Sequence, residues 1–289
     1  MSIKSLFRGV SHLLPDKVYI KLKYRSRLKK KLNLKNPQTF NEKLQWLKLY
    51  DRNPEYIKLV DKYEVKKYIE EKLGKEYIIP TLGVWDKFED IDFDKLPNQF
   101  VLKCTHDSGG LVICDDKSKL DLDEAKKKIN QSLKTNYFWL GREWPYKSVK
   151  PRIIAEKFMV DESGYELKDY KFFCFNGEPK IIQVDFDRYT EHKKNLYTTD
   201  WKLCEFSFNY PAHPEIEIKK PEKLEKMIEL AKVLAEGKPY VRIDFYSISG
   251  EIFFGEITFF PASGMGRFEP DKYDYELGQM IKLPIKNKN

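Results

Sequence analysis

Apolar and polar positions sort this chain into a helical opening stretch and a strand-rich remainder. Thr39 with Glu42 forms a capping box, and Leu44 and Leu47 continue it as a helical stripe. A second helix is predicted after Asp61, with Glu64, Val65 and Ile69 on its pattern and Gly74 as its stop. IIPTLGVW (78–85) then reads as a short strand. FVLKC (100–104), THDSGG (105–110) and LVIC (111–114) read as strand, glycine-containing loop and strand. Asp123 is placed to cap a helix carrying Ala125, Ile129 and Leu133. Residues 135–152 gather Tyr137, Phe138, Trp139, Trp144 and Tyr146 with glycine and proline, which predicts an irregular aromatic loop suited to a lid or an acceptor contact. RIIAEKFM (152–159), DYKFFCF (169–175) and KIIQVDF (180–186) are predicted strands, the last two joined at Asn176-Gly177. Pro221 to Gly237 is an amphipathic helix with Leu224, Met227, Ile228, Ala231, Leu234 and Ala235 on one face. Two strands follow, VRIDF (241–245) and FGEITFF (254–260), with a turn near Ser249-Gly250. The order is helical first, then α+β, with no internal repeat.

At 289 residues, 41% hydrophobic and 34% charged, the chain is long enough for one large or two modest soluble domains. A net charge of +8 favours acidic partners. Eight lysines and arginines fall between 17 and 31, which reads as an arm against an anionic surface or as a solvated helix face. On the second reading, Leu13, Leu14, Val18, Tyr19 and Leu22 pack on the body. Four widely spaced cysteines form no CxxC pair, so a zinc knuckle is not expected, and a reducing, cytosolic compartment is. The sequence has no signal-peptide pattern and no 18-residue apolar run.

Candidate chemistry concentrates near the end. Arg242 and Asp244 lie two apart on one predicted strand, and Glu256 and Thr258 two apart on the next, so each pair faces one side of the sheet. Carboxylates and a guanidinium so placed hold a divalent metal and a phosphate oxygen together. The register is open, and with it whether Asp244 faces Glu256. Lys103 followed by Ser108-Gly109-Gly110 suits a phosphate, although GxxxxGK[ST] is absent and Gly109-Gly110 is more often a plain hairpin turn. Glu156-Lys157-Phe158-Met159 puts charge beside apolar residues, either as an edge-strand ion pair or with Lys157 reaching a phosphate or purine edge. Asp169 and Lys171 share a strand face, with Arg188 and Lys194 beyond the next strand, a cationic cluster suited to a transferring phosphoryl group. His106 is either a substrate contact or a structural one, and no GxSxG elbow occurs.

Taken in order, DK (61–62), FVLKCTHDSGG (100–110), IIAEKFM (153–159), DYKFFCFNGEP (169–179), DRYTEHKKNLY (187–197) and VRIDFY…GEIFFGEITFFPASG (241–264) resemble the TupA-like branch of the ATP-grasp superfamily. PQTFNEKLQWLKLYDR (37–52) is similar to that branch too. The resemblance implies two subdomains whose antiparallel sheets clasp ATP, after a helical segment. The expected division is 1–60 for the basic helical segment, 61–150 for the first subdomain and 151–289 for the second. It implies phosphate contacts from Lys62 and Lys103 and a glycine loop at Ser108, Gly109 and Gly110. Glu156, Lys157, Phe158 and Met159 become the adenine hinge and Asp169 a ribose-binding acid, with Glu162 and Glu166 as competitors. Asp244, Glu256 and Thr258 become magnesium ligands. Arg242, Arg188 and Lys171 become catalytic, Arg242 steadying an acyl phosphate and Arg188 the phosphoryl group. Relatives carry Glu-x-Asn where this chain has Glu256-Ile-Thr258, which puts a second magnesium in question. The branch is associated with surface polysaccharide assembly. The implied activity is an ATP- and Mg2+-dependent carboxylate–amine ligase, joining an amino compound to a uronic acid of a capsular or wall polysaccharide. Implied partners are an anionic, uronic-acid-containing acceptor and an amine or amino acid, with peripheral contact to an anionic membrane through the basic segment and no nucleic acid. The alternatives are a nucleotide-sugar glycosyltransferase, for which Asp185-Phe186-Asp187 is a DxD match repeated at 92–94 and 121–123, and a catalytically inactive glycan- or nucleotide-binding protein.

Overall fold

The computed structural model describes residues 12–162, 164, 167–186 and 192–284. Helices α1 (Asp16–Leu28), α2 (Phe40–Tyr50), α3 (Glu55–Val60) and α4 (Glu64–Lys72) open it. The capping box at the start of α2 forms as read from the sequence, with Thr39 accepting from the Glu42 N–H and Glu42 returning to the Thr39 N–H. Asp61 accepts from the N–H groups of Tyr63 and Glu64 at 2.8 and 3.2 Å and so starts α4. α1 docks through Ile20 and Tyr24, four residues apart. That choice of face leaves Leu13, Val18 and Leu22 exposed, against the expectation that they pack on the body.

The first sheet contains β1 (Thr81–Trp85), β2 (Phe100–Cys104), β3 (Leu111–Cys114) and β4 (Ile153–Lys157), antiparallel throughout in the order β1-β4-β2-β3. Helix α5 (Leu122–Leu133) covers one face, where Ala125 and Ile129 meet Phe100, Leu102, Cys104, Ile153 and Ala155. Its cap is Asp121, which accepts from Glu124 N–H at 2.9 Å, and Asp123 lies inside the first turn. Because β4 pairs with β1 and β2, the first sheet extends past residue 150 to Lys157. The aromatic segment, with the short helix α6 (Phe138–Gly141), is no loose lid. Phe138, Trp144 and Tyr146 are buried in the main core, so it forms a wall.

The second sheet is built from β5 (Asp169–Phe175), β6 (Glu178–Phe186), β7 (Lys193–Thr198), β9 (Tyr240–Ile248) and β10 (Glu251–Thr258), in the order β10-β9-β5-β6-β7. The short strand β8 (Ser207–Phe208) pairs separately with β11 (Phe268–Glu269). Asn176 and Gly177 close the β5–β6 hairpin with φ of 49° and 86°, the left-handed pair that a two-residue turn requires. Helix α7 (Leu224–Ala235) covers the back face, laying Leu224, Met227, Ala231 and Leu234 on Phe172, Ile182, Ile243 and Phe245. Helix α8 (Lys272–Met280) packs against α2 so closely that a Cβ on Gly278 would sit 2.3 Å from the Gln38 carbonyl oxygen. The uncovered faces of the two sheets bound a cleft.

Candidate active site

Alternation alone does not bring Asp244 and Glu256 together. The β9–β10 hairpin turns at Ser249 and Gly250, and pairing runs regularly from Glu251↔Ile248 to Phe254↔Phe245. Continued unchanged, that register would put Glu256 opposite Ile243, on the apolar back face. A bulge at Gly255 adds one residue and sets Glu256 opposite Asp244 and Thr258 opposite Arg242. Glycine suits the bulge, since a Cβ there would lie 3.1 Å from both the Asp244 carbonyl oxygen and the Tyr246 ring. β5 sets Lys171 beside Asp244 and Asp169 beside Tyr246 on the same face.

Across the cleft stand Lys103 and Glu156 of the first sheet, with Lys62 and Lys66 from the α4 segment at its side. Sequence reasoning named Lys62 and missed Lys66; the one-turn spacing of the two lysines was the available signal. Both Lys66 and Lys103 reach Glu156, at 2.6 Å each. Burial alone would raise the Glu156 carboxyl; the two ammoniums outweigh it and hold it at about 2. Burial lowers Lys66. Glu156 and Lys157 are neighbours on a strand and point to opposite faces, so Glu156 enters the cleft. Lys157 is exposed, and Lys157, Phe158 and Met159 do not line the cleft. Ile78, Ile79, Tyr246 and Phe254 form an apolar end that sequence reasoning also missed.

The loop Asp107–Gly110 closes another side. Gly110 donates to Asp107 at 3.2 Å, and the Ser132 hydroxyl donates to the same carboxylate. Lys62 donates to the Asp107 carbonyl. Tyr137 of the aromatic wall lies beside Ser108. His106 is buried and bonds the carbonyls of Ser132 and Thr135 at 3.2 and 3.1 Å, the structural role of the two considered.

On the second sheet Arg242 grips Asp244 with two bonds of 2.7 and 2.6 Å and donates to the Thr258 hydroxyl at 3.0 Å. Thr258, expected as a metal ligand, accepts from the same guanidinium and is not among the residues lining the cleft. Burial pushes the Asp244 carboxyl up, to about 6, against the pull of Arg242 and Lys171, and the charge of Glu256 adds to the push. Lys171 bonds Asp185 and lies 4.0 Å from Asp169. Asp185 is buried; His192, Lys171 and Lys194 overcome that burial and hold it well below the usual range. That carboxylate, the first acid of the DxD match, is therefore engaged by protein cations. Asp92 and Asp121, which open the other two matches, cap a short turn and helix α5 respectively. Arg188, Asp187 and Glu166 lie outside the described residues.

Behind the cleft, the turn following β10 is strained, with Ala262 and Ser263 at φ of 49° and 56°. Lys48 is fully buried and donates to Gly141 O at 3.0 Å, Ser263 O at 2.7 Å and Ser263 Oγ at 3.1 Å, pinning that turn.

Asp244 and Glu256 fit a magnesium ion. They are two facing carboxylates whose mutual repulsion a divalent cation relieves, and Glu256 has no ion pair among the described residues. Magnesium commonly takes one or two carboxylates and completes its shell with phosphate oxygens and water. No cluster of three or more His, Cys, Asp or Glu side chains suited to a metal occurs among the described residues. The lysines opposite, Lys62, Lys66 and Lys103, fit a nucleotide polyphosphate.

Comparison with known proteins gives three kinds of result. No curated protein matches the sequence. Among solved structures, the chain is similar to D-alanine–D-alanine ligase from Bacillus anthracis complexed with ATP, at 18% identity and a TM-score of 0.43, covering 77% of this chain and 63% of that one. It is similar to phosphoribosylamine–glycine ligase from Thermotoga maritima at 15% identity and a TM-score of 0.42, covering 71% and 48%. A third similarity is to N5-carboxyaminoimidazole synthase from Aspergillus clavatus in complex with ADP and 5-aminoimidazole ribonucleotide, at 14% identity and a TM-score of 0.40, covering 71% and 45%. The chain thus spans less than two thirds of the length of each of these enzymes. The TupA-like ATP-grasp family model matches residues 42–282, a span holding both sheets and every residue of the cleft, and the chain therefore belongs to that family.

Proposed function

We propose that this protein is an ATP-dependent ligase that activates a carboxylate as an acyl phosphate and passes the acyl group to an amine. The observation that carries this reading is the opposition of charge across one cleft: Lys62, Lys66 and Lys103 on one side, Asp244 and Glu256 on the other. In this reading the lysines bind the polyphosphate and the apolar end at Ile78, Ile79, Tyr246 and Phe254 receives the base. Asp244 and Glu256 hold magnesium, which neutralises charge on the phosphate oxygens when bound. The substrate carboxylate attacks the γ-phosphorus, forming an acyl phosphate and releasing ADP. The amine then attacks the acyl carbon, and phosphate leaves with the bonding pair. Arg242, held by Asp244 and Thr258, and Lys171, held by Asp185, are oriented to stabilise the charge that develops in both steps. Arg188 is assigned the phosphoryl group on the family resemblance alone.

The carboxylate we propose is that of a uronic acid of a capsular or wall polysaccharide, and the amine that of an amino compound, on the cytoplasmic side. A net charge of +8 supports an anionic acceptor. No helix among the described residues is long and apolar enough to cross a membrane.

The test is mass spectrometry of products from Mg-ATP, uronic-acid oligosaccharides and pooled amino acids. ADP with a condensation mass is the expected outcome, and Glu256→Gln is expected to remove both while the protein stays folded. UDP release from a UDP-sugar without ATP consumption, or full turnover by Glu256→Gln, would overturn the proposal.

A further inference from the structure

α1 and the turn after it form a second concavity that shares no lining residue with the cleft. Lys17, Lys21, Lys31 and Lys35 line it together with Asn33 and Tyr50, and no carboxylate does. None of the four ammoniums has an ion pair or hydrogen bond among the described residues. Nearby acids are engaged elsewhere. Asp16 lies 3.3 Å from Arg142, and Glu42 is buried, accepting from the N–H groups of Asn33, Gln38 and Thr39 at 3.1, 2.8 and 3.3 Å. Residues 1–11 carry Lys4 and Arg8 and no acid, so they repeat the groove's sign and do not complement it.

The groove is built on rigid parts. Asn33 accepts from the N–H groups of Lys35 and Asn36 at 3.2 and 3.0 Å, which fixes the turn carrying two of the lysines. The Tyr50 ring is braced edge-on against Trp46 at 5.1 Å and stays half-buried. Four like charges converging on a concave surface repel one another and focus a positive potential into the space between them. An anion occupying that space relieves the repulsion.

We propose that this groove binds an anionic saccharide chain, with its lysines on the carboxylates. The proposal rests on the ligase reading for the identity of the polymer. The groove itself offers a bilayer nothing to insert, because its own apolar residues Leu32 and Leu34 are buried and the exposed Leu13, Val18 and Leu22 do not line it. The lining holds one aromatic residue, fewer than single-stranded nucleic acid uses, where successive bases stack on successive rings. The position suits an acceptor. Tyr50 and Lys48 lie two residues apart on α2 and therefore on opposite sides of it, and Lys48 reaches the Ser263 turn that follows the cleft strand β10. One helix, about 10–12 Å across with its side chains, separates the groove from that turn.

The experiment measures binding of fluorescent polygalacturonate oligosaccharides to the full chain and to Lys21→Glu/Lys31→Glu, with ATP affinity read in parallel. The wild type is expected to bind with a log affinity that falls linearly in log salt, and the double variant to lose about tenfold or more with ATP affinity unchanged. Neutral galactan is expected not to bind. Should the charge reversal impair folding, as read by circular dichroism, Lys17→Gln/Lys35→Gln at exposed positions makes the same comparison. No binding of polygalacturonate, equal binding by the variants, or preferential binding of phosphatidylglycerol vesicles or single-stranded DNA would overturn the proposal. Groove-dependent binding without any condensation product would refute the ligase reading and leave the groove standing; product formation with binding insensitive to the lysines would do the reverse.

Discussion

Replacing Glu156 by glutamine tests the charge balance of the cleft. The carboxylate is 6% exposed and held by Lys66 and Lys103 at 2.6 Å each. Its value falls from an ordinary 4.5 to about 2, which at 1.36 kcal/mol per decade is roughly 3 kcal/mol of folded-state stabilisation. That figure is a ceiling, because burial of Lys66 lowers its own value and subtracts from the pair. Glu156→Gln keeps the shape and removes the charge, leaving two ammoniums facing each other. The sign follows from a depressed carboxyl: the stabilisation is fully present above about pH 4.5 and is lost as pH falls toward 2. Urea unfolding followed by tryptophan fluorescence is therefore expected to show the variant less stable by about 2–3 kcal/mol at pH 7, with the gap closing between pH 4.5 and 2. On the proposed reading ATP competes with Glu156 for the same lysines, and the nucleotide is then expected to stabilise the variant at least as much as the wild type. A gap that persists undiminished at pH 3, or none at pH 7, would refute the reasoning.

Gly278→Ala places a Cβ 2.3 Å from the Gln38 carbonyl oxygen and 2.6 Å from Phe40 N, backbone that cannot swing aside. A loss of about 3 kcal/mol in denaturant unfolding is expected, and wild-type stability would show that α8 shifts freely. Arg242→Lys trades a forked grip on Asp244 and Thr258 for a single point of charge. The expected outcome is a fall of about 100-fold in kcat/KM with folding retained, and a change within about threefold would remove Arg242 from the chemistry.

The elements and the family were legible in the sequence, because capping residues, hairpin turns and apolar runs act locally. Phe100–Cys104, Leu111–Cys114 and Asp169–Phe175 form as strands over the residues their apolar pattern marks. Legibility ended where a contact joins distant segments. Nothing local to Lys66 announces Glu156 ninety positions later, nor does Tyr50 announce the lysines of α1. The aromatic residues 137–146 read as a loop because they lack a period, and tertiary burial of Phe138, Trp144 and Tyr146 decided otherwise. Lys157 was read with Glu156 as one motif, while the strand sends neighbouring side chains to opposite sides.

The kink at Gly255 has a bearing on how this protein tolerates changes in length. β10 contributes eight residues to a ladder in which seven of β9 find partners, so one residue is surplus. Losing Gly255 would straighten the strand and still leave Glu256 across from Asp244. Gaining a residue between Gly255 and Glu256 would turn the acid toward the packed interior beside Ile243, exchanging a cleft carboxylate for a buried, uncompensated charge. The strand is thus forgiving of shortening and intolerant of growth, an asymmetry that paired one-residue deletion and insertion libraries can read directly.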